Sequence, residues 1–446
     1  MKAQGLLLEE RQGFIHHKGS CGSVSIQCDT GSLSGAVSQR ACVYCGARVV
    51  LNPITDAFHI VHGPIGCASY TWDIRGSLSS HAEWYRNSFS TDLSEQDVIF
   101  GGEKKLREAL AEVARAHSPK VIFVYATCIV GVIGDDVKAV CKEAEEKFGI
   151  HVIPVMSPGF AGHKPVGYRM ACDALMELFV RAPKAPKRSG SVNILGDFNL
   201  AGEMWIIKSY LEKMGVRVVA KITGDANCDE LMHAGEAALN VVQCAGSMTW
   251  LARRMEEVMG IPYIKVSFFG IEDTSQSLLR IAQALGDREA ENKARQLIAR
   301  ETGALEPVLR RSREVLGGKK AAIYVGGGFK AISLIKQFRE IGMETVVVGT
   351  QTGKKEDYDV ISSLVRDGTV VLDDANPAEL EYFIREKQAD VLVGGVKERP
   401  LAYKLGVAFL DHNHERRHPL AGFEGVRNFV RELNLSVNSP VWQYVR

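Results

Sequence analysis

From residue 121 onward the chain alternates short apolar runs with stretches whose apolar residues recur at helical spacing. The apolar runs fall at 121–126, 151–155, 191–195, 217–222, 239–243, 263–266, 320–325, 344–348, 369–372, 390–393 and 407–410. They are short, rich in Val and Ile, and show no strict polar alternation. Strands buried on both faces of a parallel sheet read this way. Between them, segments such as GEKKLREALAEVARAH and VGYRMACDALMELFV place their apolar residues on one helical face. Alternation repeated this often predicts an α/β chain of Rossmann-like, doubly wound parallel sheets.

Two breaks divide the pattern. RAPKAPKRSG (181–190) is rich in Pro and basic residues and reads as a linker. A long polar helical stretch from 275 to about 315, ending in LGGKK, separates the later strand sets. Three Rossmann-like domains follow, at 1–184, 185–316 and 317–446. The first sixty residues differ: SCGSVSIQCDTGSLSGAVSQRACVYCGARVV is loop-like, a mobile arm or a wrap that helps to close a site.

Charge narrows the function. The 54 basic and 53 acidic residues nearly cancel, so no nucleic-acid or anionic-membrane partner is expected. No apolar run approaches the ~20 residues that span a bilayer. Acidic residues interrupt the only apolar stretch of MKAQGLLLEERQGFIHHKGS, so it does not read as a secretory signal, and a cytoplasmic location is expected.

The ten cysteines are too widely and irregularly spaced for a disulfide framework. In a reducing compartment they serve as metal ligands, nucleophiles or small core fillers. Cys141 and Cys172 sit in amphipathic helical patterns and read as fillers. Cys42, Cys67 and Cys128 differ: Cys42 precedes a short apolar run, Cys67 closes the turn HGPIGC, and Cys128 follows the strand VIFVYAT. Ligands of open α/β sheets sit at the carboxyl ends of strands, and the nearby glycines allow a bulky inorganic group to approach. Thiolates are the usual protein ligands of iron–sulfur clusters. Spacing alone leaves alternatives open: structural thiols, or a zinc or redox half-site at Cys42-x-x-Cys45. Three ligands also leave a four-iron cluster one short. Cys244 ends the apolar run LNVVQC and is read either as packing or as a second ligand position.

Whole motifs say more. RACVYCGARVVLNPITDAFHIVHGPIGCASYTWDIRG, then ATCIVGVIGDD, NVVQCAGSMTWLARRMEEVMGIPYIKVSFFG, YVGGGFK, GMETVVVGT and HPLAGFEGVRNFVRELN resemble, in order, the nitrogenase component 1 α-subunit family. HGPIGCASYTWDIRGSLSS and YRNSFSTDLSEQDVIFGGEKKL are more similar to its cofactor-biosynthesis members than to its catalytic ones. That resemblance implies a [4Fe–4S] cluster on Cys42, Cys67 and Cys128, shared with a partner subunit that supplies the fourth ligand. It implies a NifN-like β subunit in an α2β2 heterotetramer, with the nitrogenase iron protein as electron and metal donor. Cys45 becomes a neighbour of the cluster. Cys244 would anchor an iron–sulfur precursor of the iron–molybdenum cofactor while molybdenum and homocitrate are added. Arg75, Lys330 and Lys397 would surround this anionic group; Ala421 stands where catalytic subunits carry the histidine of its far end, so that either His418, His412 or His414 substitutes or the Cys244 thiolate holds the group alone. Tyr168 stands where catalytic subunits carry a histidine, and His163 lies nearby. The function implied is a maturation scaffold. The alternatives are an α-like catalytic subunit of a reductase of the methylthio-alkane type, and a bare electron-transfer module.

Overall fold

The computed structural model describes residues 8–19, 26–28, 41–72, 77–80, 87–183, 185–243, 245–413 and 415–445. Arg75, Cys244, His414 and Cys21 lie outside them. The described residues form two compact units, one holding those within 40–266 and 281–290, the other the remainder. Among them no helix is long and apolar enough to cross a membrane.

The strands in chain order are β1 (Ile15–His17), β2 (Phe58–His62), β3 (Ser88–Ser90), β4 (Val121–Ala126), β5 (His151–Met156), β6 (Arg188–Leu195) and β7 (Arg217–Ile222). They continue with β8 (Ala237–Val242), β9 (Tyr263–Lys265), β10 (Lys320–Val325), β11 (Glu344–Thr350), β12 (Val370–Asp373), β13 (Val391–Gly394) and β14 (Ala408–Asp411). Three sheets result, ordered β3-β2-β4-β5, β7-β6-β8-β9 and β1-β12-β11-β10-β13-β14. Every pairing is parallel except β1 against β12. The first two sheets belong to one unit and the third to the other.

β4 shows why these strands carry no polar alternation. Val121, Phe123 and Tyr125 enter one core with Leu51, Leu175 and Leu251. Ile122, Val124 and Ala126 enter another with Leu106, Leu110 and Val140. Both faces are covered, so neither set can be polar.

The eleven strands expected from apolar runs are all present, as β4–β14, with ends shifted by a few residues. Three others are missed by periodicity. β1 and β3 are three residues long. β2 carries His59 and His62, which look polar but are fully sheltered: His59 Nδ1 lies 2.9 Å from Tyr125 Oη, and His62 Nδ1 3.0 Å from Thr91 Oγ1. The loop reading of the first sixty residues also needs correction. Val43–Leu51 is an α-helix with all nine residues buried. It crosses the helix Lys164–Arg181 at two glycines, where a Cβ on Gly46 would stand 2.1 Å from Lys164 O and one on Gly167 1.9 Å from Val43 O. Two small residues let two backbones touch, which no hydrophobic-moment argument reveals.

Candidate cluster site

Strand order places the candidate residues. In each sheet two neighbouring strands feed their connections to opposite sides, and the crevice between their carboxyl ends is where such folds receive ligands. In the first sheet these strands are β2 and β4. Cys67 follows β2 after Gly63 and Pro64, in the first turn of the helix Ile65–Trp72, and Cys128 follows β4 after Thr127. In the second sheet the pair is β6 and β8, and β8 ends at Val242, two residues before Cys244. In the third it is β10 and β13, followed by Lys330 and Lys397. The separate motifs are one device used three times.

The first crevice is held by Thr127, whose N–H and hydroxyl both donate to His62 O, at 3.2 and 2.9 Å. Cys128 then opens the helix Cys128–Ile133, and Cys67 lies in the helix Ile65–Trp72. Cys42 stands just before the helix Val43–Leu51, its extended backbone bridged to His163. Gly159, 31 residues beyond Cys128, closes the cradle. Its N–H donates to Cys128 Sγ at 3.0 Å. A Cβ there would stand 2.9 Å from Cys128 Sγ and 3.4 Å from Cys42 Cβ. Burial, and then the neighbouring Cys128 and Cys42, push the Cys67 thiol up. Cys42 and Cys67 are half-buried and Cys128 is exposed.

The donor set fits a cluster. Among the described residues no three ligating side chains close tightly enough for a single metal ion. Cys128 Sγ and the Cys42 side chain converge on Gly159, which leaves no side chain between them, and thiolates are the usual protein ligands of iron–sulfur clusters. Cys45 is fully buried inside the helix Val43–Leu51. Cys141 and Cys172 are buried fillers. Around the cradle three large apolar side chains face outward: Ile65, Val132 and Phe160, 50%, 72% and 65% exposed.

In the other unit, Lys330 sits in the first turns of the helix Gly328–Glu340. Its Nζ donates to His412 O at 3.1 Å and lies 5.7 Å from the Phe269 ring centroid. His412 is fully buried against Phe269 and Phe429, and burial, then Lys330 and Arg416, hold its imidazole well below the usual range. His418 pairs through Nδ1 with Glu432. Lys397 is exposed. Tyr168 is half-buried against the core, and His163 precedes the helix Lys164–Arg181. Gly159 and the His62–Asp135 contact at 3.1 Å escaped the sequence reading. Their partners are 31 and 73 residues away, and no local signal marks them.

The family model for nitrogenase component 1 type oxidoreductases matches residues 42–438, beginning at the first cradle cysteine. The chain is 65% identical over 444 residues to the nitrogenase iron–molybdenum cofactor biosynthesis protein NifE of Clostridium pasteurianum, covering 98% of this chain and 97% of that one. It is 54% identical to the NifE protein of Methanosarcina barkeri, with the same coverage. Among solved structures, nitrogenase Cp1 at pH 5 superimposes with a TM-score of 0.90 at 31% identity, covering 99% of this chain and 97% of that one. The chain therefore belongs to the nitrogenase component 1 family, and within it to the NifE group.

Proposed function

We propose that the chain is a scaffold on which the iron–molybdenum cofactor of nitrogenase is matured. The observation that carries this reading is the three-thiol cradle at a sheet switch point, in a chain so similar throughout to cofactor-biosynthesis proteins. Cys42, Cys67 and Cys128 would hold one [4Fe–4S] cluster, which supplies electron transfer when bound. The exposed Ile65, Val132 and Phe160 support a partner seated over the cradle, because apolar side chains grouped at a half-open ligand site favour cover by another protein. That partner, a NifN-like β subunit in an α2β2 heterotetramer, would add the fourth ligand. Val98, Ile99 and Phe100, 37%, 74% and 85% exposed on the short helix Glu95–Phe100, support docking of the nitrogenase iron protein.

Cys244 would hold the iron–sulfur precursor during addition of molybdenum and homocitrate. The reading is tested by anaerobic iron and sulfide analysis with EPR on wild type and Cys244→Ala, followed by transfer to cofactor-free nitrogenase. A scaffold loses its larger cluster on substitution, keeps the four-iron signal, and in wild type activates the acceptor. A wild-type cluster that never leaves, with turnover of a small substrate, would instead establish the reductase.

A further inference from the structure

The helix Val43–Leu51, which follows Cys42, carries a second feature, which the cradle does not use. Arg48 is only 3% exposed, and its Nε and Nη1 have no hydrogen-bond partner. Nη2 donates to Ser88 Oγ, and the guanidinium lies over the Tyr125 ring, 5.4 Å from its centroid. Among the described residues no carboxylate pairs with it. Its charge reaches its neighbours, helping burial to hold His59 down and opposing the upward push of burial on Tyr44.

A guanidinium cannot shed its proton, and an isolated buried charge carries a large desolvation penalty. Arg11, a sheltered arginine of the other unit, shows the ordinary solution, with Glu379 Oε1 at 2.8 Å. Arg48 instead faces a small cavity lined with Cys45, Asn52, Thr71 and Ser77. Asn52 is nine-tenths buried and its Oδ1 is also unpartnered. Turning that amide over would offer the cavity a donor. There is room for about one water-sized guest, too little for a tetrahedral oxyanion or an organic acid.

The geometry points to an internal site for one monovalent anion of halide size, held against Arg48 Nε and Nη1. Such an ion would neutralise the only charge of the Val43–Leu51 helix. It requires nothing of the maturation reading and stands or falls separately from it.

The test is to crystallise the full chain, as purified, from bromide in place of chloride and to locate bromide by anomalous scattering. A bromide peak within hydrogen-bond reach of Arg48 is expected, and its loss in Arg48→Met. A carboxylate of this chain seated on Arg48, or water alone there in the bromide crystals, overturns the proposal. Should Arg48→Met not fold, wild-type melts decide. Replacing chloride with gluconate at constant ionic strength should lower Tm by about 2–4 °C. An unchanged Tm overturns the site.

Discussion

The cysteine cradle and the polar end of the six-stranded sheet are built by the same topology and treated in opposite ways. In the cradle, three thiols at a switch point face an opening rimmed by exposed apolar residues, with one backbone N–H from Gly159 as the hydrogen bond given to a sulfur. At the third sheet, Lys330 is tied inward to His412 O and His418 to Glu432, while the buried His412 ring keeps both nitrogens without a hydrogen-bond partner. A region left incomplete by its own chain is built for something to be added. Where Lys330 and His418 are already held by groups of their own unit, those contacts serve folding first. Substitutions should therefore separate along the same line, changing metal content in one region and stability in the other.

The largest effect is expected at the cradle. Cys67→Ala should abolish nearly all of the four-iron EPR signal while circular dichroism stays unchanged; a retained signal would remove the cradle from the account. Gly167→Ala sharpens the comparison from the packing side. Its Cβ would meet Val43 O and, at 2.7 Å, Ala47 N, neither able to move alone, so a loss of about 3 kcal/mol or more is expected in denaturant unfolding. Gly159→Ala, which meets mainly the end of the exposed Cys128 side chain, should leave the apoprotein's stability almost unchanged and lower its iron content.

The third-sheet unit should respond to pH. Burial pushes the Glu398 carboxyl from its ordinary 4.5 up to about 7, with Gly395 N–H donating to Oε2. The unfolded chain releases this proton near 4.5 and the folded chain holds it to about 7. The stability contributed by the acid form is thus complete below about 4.5 and is lost as pH rises through 7. Glu398→Gln should stabilise by up to about 3 kcal/mol at pH 8 and hardly at all at pH 4.5, as read from melts across pH. His412 acts from the other side: its imidazole is held below 6.5, so the unfolded chain gains the proton first and stability falls as pH drops through 6.5. The smallest effect is expected for His418→Asn. Its pair with Glu432 is part-exposed, so the unfolding free energy should change by under about 1 kcal/mol.

The division of labour between sequence and tertiary structure can be traced residue by residue. Periodicity and composition alone determined the α/β class and the place of eleven strands, because a strand covered on both faces must be apolar throughout. Their places before an apolar run, at a glycine turn and after a strand singled out Cys42, Cys67 and Cys128, and the ordered motifs implied their role by resemblance. Tertiary structure decided the rest. β2 was hidden because its histidines find partners in Tyr125, Thr91 and Asp135, which lie far along the chain. The helix Val43–Leu51 was hidden because its burial depends on glycines meeting another backbone. Above all, strand order turned scattered cysteines and lysines into three equivalent crevices. Which strands become neighbours is set by long-range pairing and packing, and the spacing of residues along a chain carries no record of it.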